Sequence, residues 1–348
     1  MTIEIGGRKI GPGHPPLIVA EMSGNHNQSL DRAMQIVEAA AASGAHALKL
    51  QTYTADTITL DAAGAEFRIG DAESLWSGRT LHELYRSAAT PWEWHEPIFR
   101  RCRELGLLAF SSPFDETAVD FLDDLGVPAF KIASFENTHL PLIRKAASKG
   151  KPLIVSTGMA TLQELDEAMQ AARGVDVVLL KCTSTYPASP ADSNLLTIPE
   201  LRRVFACEAG LSDHTMGIGV AVASVALGAS VIEKHFTLAR ADGGVDSAFS
   251  MEPAEMRLLV DESLKAWQAL GTASFGPTER EKKSLQFRRS IYVARPMKAG
   301  DAFTAENLRV VRPANGLHPR YYDVLLGRRI ARDADAGTPL TWDLLLPR

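Results

Sequence analysis

Between residues 16 and 238 the chain carries eight short runs of mostly apolar, often β-branched residues: PLIVAEM (16–22), ALKLQTY (47–53), LAFSSPF (108–114), AFKIASFE (129–136), LIVSTGM (153–159), VVLLKCTS (177–184), ACEAGLSDH (206–214) and VIEKHFTL (231–238). Between them lie stretches whose apolar positions recur three and four apart, the period of a half-buried helix. LDRAMQIVEAAAASG (30–44), PIFRRCRELG (97–106), LPLIRKAASKG (140–150) and TLQELDEAMQAARG (161–174) are examples, each closing on a glycine suited to a helix C-cap. Strand and helix thus alternate eight times, which predicts an α/β fold of the (β/α)8 TIM-barrel type. An open doubly wound sheet fits less well, because no dinucleotide-binding glycine pattern follows the first run.

Polar positions concentrate at the C-terminal ends of these runs: Glu21, Lys49 and Gln51, Ser112, then Lys131, Ser134 and Glu136. Ser156 and Thr157 follow, then Lys181, Thr183 and Ser184, then Ser212, Asp213 and His214, and finally Glu233 and His235. A barrel packs its interior with apolar layers and gathers chemistry at that end. Residues i and i+2 of a strand share a face, so Ser212 shares an orientation with His214, and Glu233 with His235. Adjacent seventh and eighth strands then aim both imidazoles into one mouth. Two histidines leave coordination positions for water, substrate oxygens and a carboxylate, which points to Mn²⁺ or Mg²⁺ as a Lewis acid rather than a closed structural zinc site. The ring of lysines and hydroxyls suits phosphate and carboxylate groups.

About fifty residues separate the second and third runs, far more than an ordinary βα loop. The segment SLWSGRTLHELYRSAATPWEWHEP (74–97) within them reads as a lid over the catalytic face. Two readings of its aromatics stay open: Trp76, Trp92 and Trp94 stack on a sugar, or PWEWHEP opens a helix with Pro91 near its first turn.

The barrel pattern ends after Leu270. The expected division is a barrel over 1–275, a glycine-, proline- and charge-rich linker over 276–289, and a small β-rich module over 290–348. That module holds an internal echo, AGDAFTAENL (299–308) against AGTPLTWDLL (336–345), each a Gly-centred turn followed by a threonine placed to cap what comes next. About sixty residues make a marginal core, so docking onto another surface is expected.

Composition narrows the class. With 348 residues, 45% of them hydrophobic, and a net charge of −5, the chain can bury a large core and shows no nucleic-acid face. The early apolar stretch Pro15 to Ala20 is too short for a signal-peptide core and nothing approaches a membrane span, which suggests a cytoplasmic protein. Cys102, Cys182 and Cys207 have no paired spacing and read as reduced thiols. Cys182, inside an apolar run, reads as a small buried residue rather than a nucleophile.

AEMSGNHN (20–27), LKLQTYTADT (48–57), FSSPFDETAVDFL (110–122), FKIASFE (130–136), STGMAT (156–161), LSDHT (211–215) and EKHFTL (233–238) resemble the sialic acid synthase family nearly end to end. The tail, RRSIYVARPMKAGDAFT to RPANGLHP, is similar to that family's antifreeze-like (SAF) domain, which implies a homodimer whose tail caps the partner's barrel. AEMSGNHN, LKLQTYTADT and TPWEWH look most like the branch that makes pseudaminic acid, with the N-acetylneuraminate and legionaminate branches as alternatives. The resemblance implies condensation of phosphoenolpyruvate with 2,4-diacetamido-2,4,6-trideoxy-β-L-altrose, releasing phosphate. It places Lys49, Ser112, Lys131, Ser134, Ser156 and Ser212 on phosphoenolpyruvate, and Glu21, Tyr186 and Asp246 near the sugar or the attacking water, with Glu136 a further candidate. It makes His214 and His235 the metal ligands and sets Arg312 on the sugar's N-acyl group. Where the family typically has Asn after Cys-Thr, this chain has Ser184, so the phosphate contact there departs from the pattern. Two readings from other classes compete: a Schiff-base aldolase using Lys49, Lys131 or Lys181, and a carbohydrate-binding protein without catalysis.

Overall fold

A computed structural model describes residues 2–71 and 74–347. The chain forms two compact units that divide between Gly271 and Thr272.

The first unit begins with an antiparallel hairpin, β1 (Ile3–Ile5) and β2 (Arg8–Ile10), which the reading of the sequence did not include. Ile3, Ile5 and Ile10 are buried in the barrel's core cluster. The hairpin turns at Gly6, whose φ is +55°, and a Cβ there would lie 2.6 Å from Leu108 Cδ2 and 3.2 Å from Pro128 Cβ. Leu108 opens the third barrel strand and Pro128 precedes the fourth, so the hairpin covers the end of the barrel opposite the polar mouth.

Eight parallel strands then close on themselves: β3 (Leu17–Glu21), β4 (Ala47–Thr52), β5 (Leu108–Pro113), β6 (Phe130–Ile132), β7 (Leu153–Ser156), β8 (Val177–Cys182), β9 (Glu208–Asp213) and β10 (Val231–His235). β10 pairs with β3 to seal the barrel, with His235 level with Glu21. Around them run α1 (Leu30–Ala42), α2 (Ala55–Ile58), α3 (Leu81–Ala88), α4 (His95–Glu104), α5 (Glu116–Asp124), α6 (Leu140–Ala147), α7 (Leu162–Ala171), α8 (Thr197–Phe205), α9 (Gly219–Ala226) and α10 (Pro253–Leu270). Their starts are specified locally. Thr80 and Thr161 form reciprocal capping boxes with Glu83 and Glu164, and Asp115 caps α5. No helix among the described residues is long and apolar enough to cross a membrane.

The fourth strand is shorter than its apolar run. Only Phe130–Ile132 is extended, and Ser134–Glu136 winds into a 3₁₀ turn that carries its polar groups off the ladder. In the long segment after β4, the helix-opening reading holds for Trp92 and Trp94. Both fall in a 3₁₀ turn that leads into α4, with Trp92 stacked 4.7 Å from Phe121 and Trp94 edge-on to His26 at 5.5 Å.

Side chains pointing outward between strands and helices form a second, structural set of polar contacts. Lys234, 1% exposed, donates from Nζ to Asp213 Oδ2 (2.8 Å) and to the carbonyls of Thr215 (2.6 Å) and Gly217 (3.0 Å). Removing one partner of a buried pair leaves the other charge without compensation. Lys234→Met is expected to destabilise the barrel by about 3–5 kcal/mol, read by urea unfolding, and a change below about 1 kcal/mol would refute this role.

The second unit has its own core of Ile291, Val293, Met297, Phe303, Leu308, Leu325, Ile330 and Leu340. Its strands β11 (Ser290–Val293) and β12 (Leu308–Val311) pair antiparallel, and α11 (Tyr322–Leu325) follows. The internal echo is visible in the backbone: Gly300 and Gly337 both turn with φ +90°. Its caps differ between the copies. Thr304 Oγ1 accepts from the Glu306 amide, whereas Thr341 leads into a 3₁₀ turn without a side-chain cap bond.

Candidate active site

The strand alternation sorts the polar tips into those that reach the mouth and those that do not. Lys49 and Gln51 of β4 share one side. Thr52, between Gln51 and Tyr53, points the other way to His95 Nε2 (2.7 Å) and Ser111 Oγ (2.6 Å). Lys49 Nζ lies 2.6 Å from Glu21 Oε2 and donates to Ser112 Oγ at 3.3 Å. Lys131 Nζ donates to Ser156 Oγ at 2.6 Å. Glu233 sits between the two lysines, 3.9 Å from Lys49 and 3.8 Å from Lys131, and its Oε1 accepts from Ser212 Oγ at 3.1 Å. Glu233 was legible only as a strand tip; its central place depends on closure of the barrel.

This cluster lies almost wholly out of water, and its electrostatics follow from that. Burial raises the Glu233 carboxyl, but the two ammonium groups and the Ser212 bond outweigh it, so Glu233 is held charged. Lys131 is shifted down, first by burial, then by Lys49, with Glu233 opposing. Glu21 is raised to about 7, by burial first and Glu233 in addition, against the pull of Lys49. Two lysines with adjacent hydroxyls face the charged Glu233 and a Glu21 shifted toward its neutral form, an arrangement of donors suited to an incoming anion.

Lys181 departs from the ring. On β8 it alternates with Cys182, which faces inward, and its Nζ donates to the Cys182 carbonyl at 2.9 Å outside the barrel. There it lines a separate cavity of about 400 Å³ with Thr157, Met159, Asn194 and Thr197. This removes it from the lysines open to a Schiff-base reading. Lys49 is a poor imine nucleophile too, because Glu21 and Glu233 overcome the effect of burial and hold its ammonium charged.

On the opposite side the imidazoles of His214 and His235 converge, ring centroids 5.3 Å apart. The His214 Nδ1–H donates to the Thr183 carbonyl at 2.9 Å, with Cys182 Sγ at 4.0 Å; burial lowers this imidazole, but Cys182, the Thr183 carbonyl and Glu233 outweigh it and shift His214 upward. Burial, followed by the nearby cationic groups, drives His235 well below the usual imidazole range and keeps it neutral. Its Nδ1 has no hydrogen-bond partner among the described residues and lies 3.7 Å from Asp246 Oδ2. A neutral, unpartnered imidazole nitrogen, as at His235, is what a divalent cation requires. Among the described residues no group of three His, Cys, Asp or Glu side chains is placed to hold a metal ion. The chemistry that suits a divalent ion here is the buried, unpartnered Nδ1 of His235 beside the converging His214 ring.

A hydrogen-bonded chain links the two sides. Gln51 Nε2 donates to Glu21 Oε1 (2.9 Å) and Ser23 Oγ (3.1 Å), and Ser23 Oγ donates to Asp246. Ser23 and Gln51 were not among the predicted site residues. Asp246 arrives on the loop after β10. Tyr186, on the loop after β8, sets its ring 4.5 Å from His214 and 5.9 Å from Trp76, so Trp76 alone of the three tryptophans stands at the rim of the mouth.

Ser134 and Ser184 meet at Gly158, where a Cβ would come within 2.5 Å of Ser134 Oγ and closer still to Ser184 Oγ. Only glycine lets these hydroxyls crowd the backbone after β7. Asn137 Nδ2 pins that backbone by donating to the carbonyls of Ser156 (3.2 Å) and Gly158 (3.0 Å). Arg312 stands exposed after β12 in the second unit.

Glu136 is raised to about 7, mainly by burial, with Lys131 and Lys49 pulling the other way, and its Oε2 has no partner. The folded protein thus keeps this proton between about pH 4.5 and 7 while the unfolded chain loses it, so stability falls as pH rises through that window. Glu136→Gln is expected to equal the parent near pH 4.5 and to exceed it at pH 8 by up to about 3 kcal/mol. Urea unfolding at both pH values tests this; parallel profiles would exclude it.

The barrel and this mouth define a class, and the chain belongs to the NeuB family, whose model matches residues 36–275, with a SAF domain over 288–346. It is 44% identical to pseudaminic acid synthase of Campylobacter jejuni across 93% of this chain and 94% of that one. It is 42% identical to pseudaminic acid synthase of Helicobacter pylori across 94% and 97%. The crystal structure of N-acetylneuraminic acid synthetase from Leptospira borgpetersenii, in complex with citrate, superposes with a TM-score of 0.73 at 30% identity, covering 83% of this chain and 96% of that one.

Proposed function

We propose that the barrel condenses phosphoenolpyruvate with 2,4-diacetamido-2,4,6-trideoxy-β-L-altrose to give pseudaminic acid and phosphate. The observation that carries this reading is the buried Lys49–Glu233–Lys131 cluster with its serines, facing a pair of converging imidazoles across one mouth. It stands in a chain 42–44% identical to pseudaminic acid synthases over more than nine-tenths of its length.

In this reading Lys49 and Lys131, with Ser112, Ser134, Ser156, Ser184 and Ser212, bind the phosphate and carboxylate of phosphoenolpyruvate by charge-assisted bonds. C3 of phosphoenolpyruvate attacks the aldehyde carbon of the open-chain sugar, forming the new C–C bond as the carbonyl π pair moves to the aldehyde oxygen, which takes up a proton to become the new hydroxyl. The cationic charge left at C2 is captured by water, and collapse of the adduct breaks the C2–O bond and expels phosphate. Glu21 and Asp246, joined through Gln51 and Ser23, and Glu136 at the rim are placed to take the proton from that water. Tyr186 shields the imidazoles. His214 and His235 would hold Mn²⁺ or Mg²⁺, which when bound supplies Lewis-acid polarisation of the aldehyde oxygen.

The segment 276–289 serves as a linker to a SAF module that reaches the partner's barrel in a cytoplasmic homodimer, where Arg312 addresses an N-acyl group of the sugar. Phosphate release from phosphoenolpyruvate, measured with the altrose substrate, N-acetylmannosamine and the legionaminate precursor, each with Mn²⁺ and with EDTA, tests the reading. Metal-dependent release with the altrose sugar alone is expected. Release with another sugar only would move the chain to a neighbouring branch, and none with any would overturn the synthase assignment.

A further inference from the structure

Tyr53, Phe114 and Tyr85 take no part in the mechanism above, yet they converge on its mouth. The alternation that turns Lys49 and Gln51 inward and Thr52 outward continues one residue past the end of β4, so Tyr53 follows Lys49 and Gln51 to the same side. The same argument applies on β5: Ser112 meets Lys49, Ser111 meets Thr52, and Phe114 lies two residues beyond Ser112. The two rings pack edge-on at 5.0 Å. Tyr85, from α3 in the long segment after β4, closes the group edge-on to Tyr53 at 5.8 Å.

Three aromatic faces together make an apolar wall. Tyr53 is 3% exposed, and neither tyrosine hydroxyl has a hydrogen-bond partner among the described residues. Neither hydroxyl is among the buried unpartnered atoms, and Tyr85 is half-buried, so both are open to a ligand in the mouth. Their surroundings locate them: Tyr53 feels the carboxylates of Asp246 and Glu21, and Tyr85 that of Glu136, after burial itself. These are the carboxylates assigned above to the sugar and the attacking water.

We infer that Tyr53, Tyr85 and Phe114 form the recognition wall for an N-acyl group of the sugar, the free hydroxyls donating to its amide carbonyl and the rings receiving its methyl. An amide oxygen accepts from a phenol and a methyl packs on ring edges, whereas a phosphate or carboxylate ligand would be desolvated by the rings with no cation among the three residues to compensate. The wall is made from both a barrel strand and the inserted segment, so the insertion contributes specificity as well as cover. The inference rests on the synthase reading.

The test is steady-state phosphate release by the full chain with Tyr53→Phe and Tyr85→Phe, varying the sugar and phosphoenolpyruvate separately. Each variant keeps its ring and is expected to raise the sugar KM about tenfold, one neutral hydrogen bond, leaving the phosphoenolpyruvate KM within twofold. Phe114→Leu, which keeps the apolar contact but loses the ring edge, is expected to raise the sugar KM with hydroxyl donors intact. Parental sugar KM in both tyrosine variants, or equal shifts for both substrates, would overturn the wall while leaving the synthase reading intact. A parent protein that releases no phosphate with any of the three sugars would overturn both.

Discussion

His235→Ala is expected to lower phosphate release by about 10³-fold or more, the several kcal/mol that a Lewis acid contributes to a carbonyl reaction, and to abolish retention of Mn²⁺ by the purified protein. The fold should survive. Among the described residues His235 Nδ1 has no hydrogen-bond partner to strand, and what the alanine loses is ring contact with Phe249 at 4.9 Å and Tyr186 at 6.5 Å. His214→Ala should remove turnover and metal equally but cost more stability, about 1 kcal/mol, because it leaves the Thr183 carbonyl without its 2.9 Å donor. Metal content by elemental analysis after gel filtration, alongside rate and urea unfolding, separates these effects. A near-parental rate with unchanged metal content in either variant would remove both residues from the metal assignment.

Lys131→Met is expected to raise the phosphoenolpyruvate KM roughly 100-fold, the loss of one charge-assisted contact in a buried site. The sugar KM should change far less. Lys131 is enclosed, and its Nζ is committed to Ser156 and Glu233, so the methionine also leaves Glu233 with Lys49 as its single close cation. A second signature follows from that: Glu233→Gln in the Lys131→Met background should recover stability that Lys131→Met alone loses, since it removes the uncompensated charge. Phosphoenolpyruvate KM within threefold of the parent would place the anion elsewhere, and additive stability losses in the double variant would dissolve the proposed triad of charges.

How much of this was readable beforehand differs from element to element. The eight strands and their polar tips were visible because a strand buried on both faces must be apolar until it reaches the mouth, where catalytic groups break the run. Ser212, His214, Glu233 and His235 came together as period-two alternation requires. Lys181 illustrates the limit of that argument. A tip residue faces either side, and one position of register turns the Cys182 thiol toward His214 while the Lys181 ammonium bonds the Cys182 carbonyl outside the barrel. The N-terminal hairpin went unread because three-residue strands carry too little periodicity to register. Trp92 and Trp94 were ambiguous for a related reason: an aromatic at a helix start looks the same whether it packs inward or faces a ligand.

Local chemistry along the chain by itself determined the barrel's strand and helix order, the caps that start its helices, the separate small β-rich tail, and the residue types available for anion and metal binding. These follow from short-range periodicity and side-chain type. Only the tertiary structure decided that Glu233 lies between Lys49 and Lys131, that Ser23 and Gln51 join Glu21 to Asp246, and that Tyr53 meets a tyrosine from the insertion. The physical reason is closure. Sealing β10 against β3 brings side chains more than two hundred residues apart to within a few ångströms, and burial then sets which of them keep a charge.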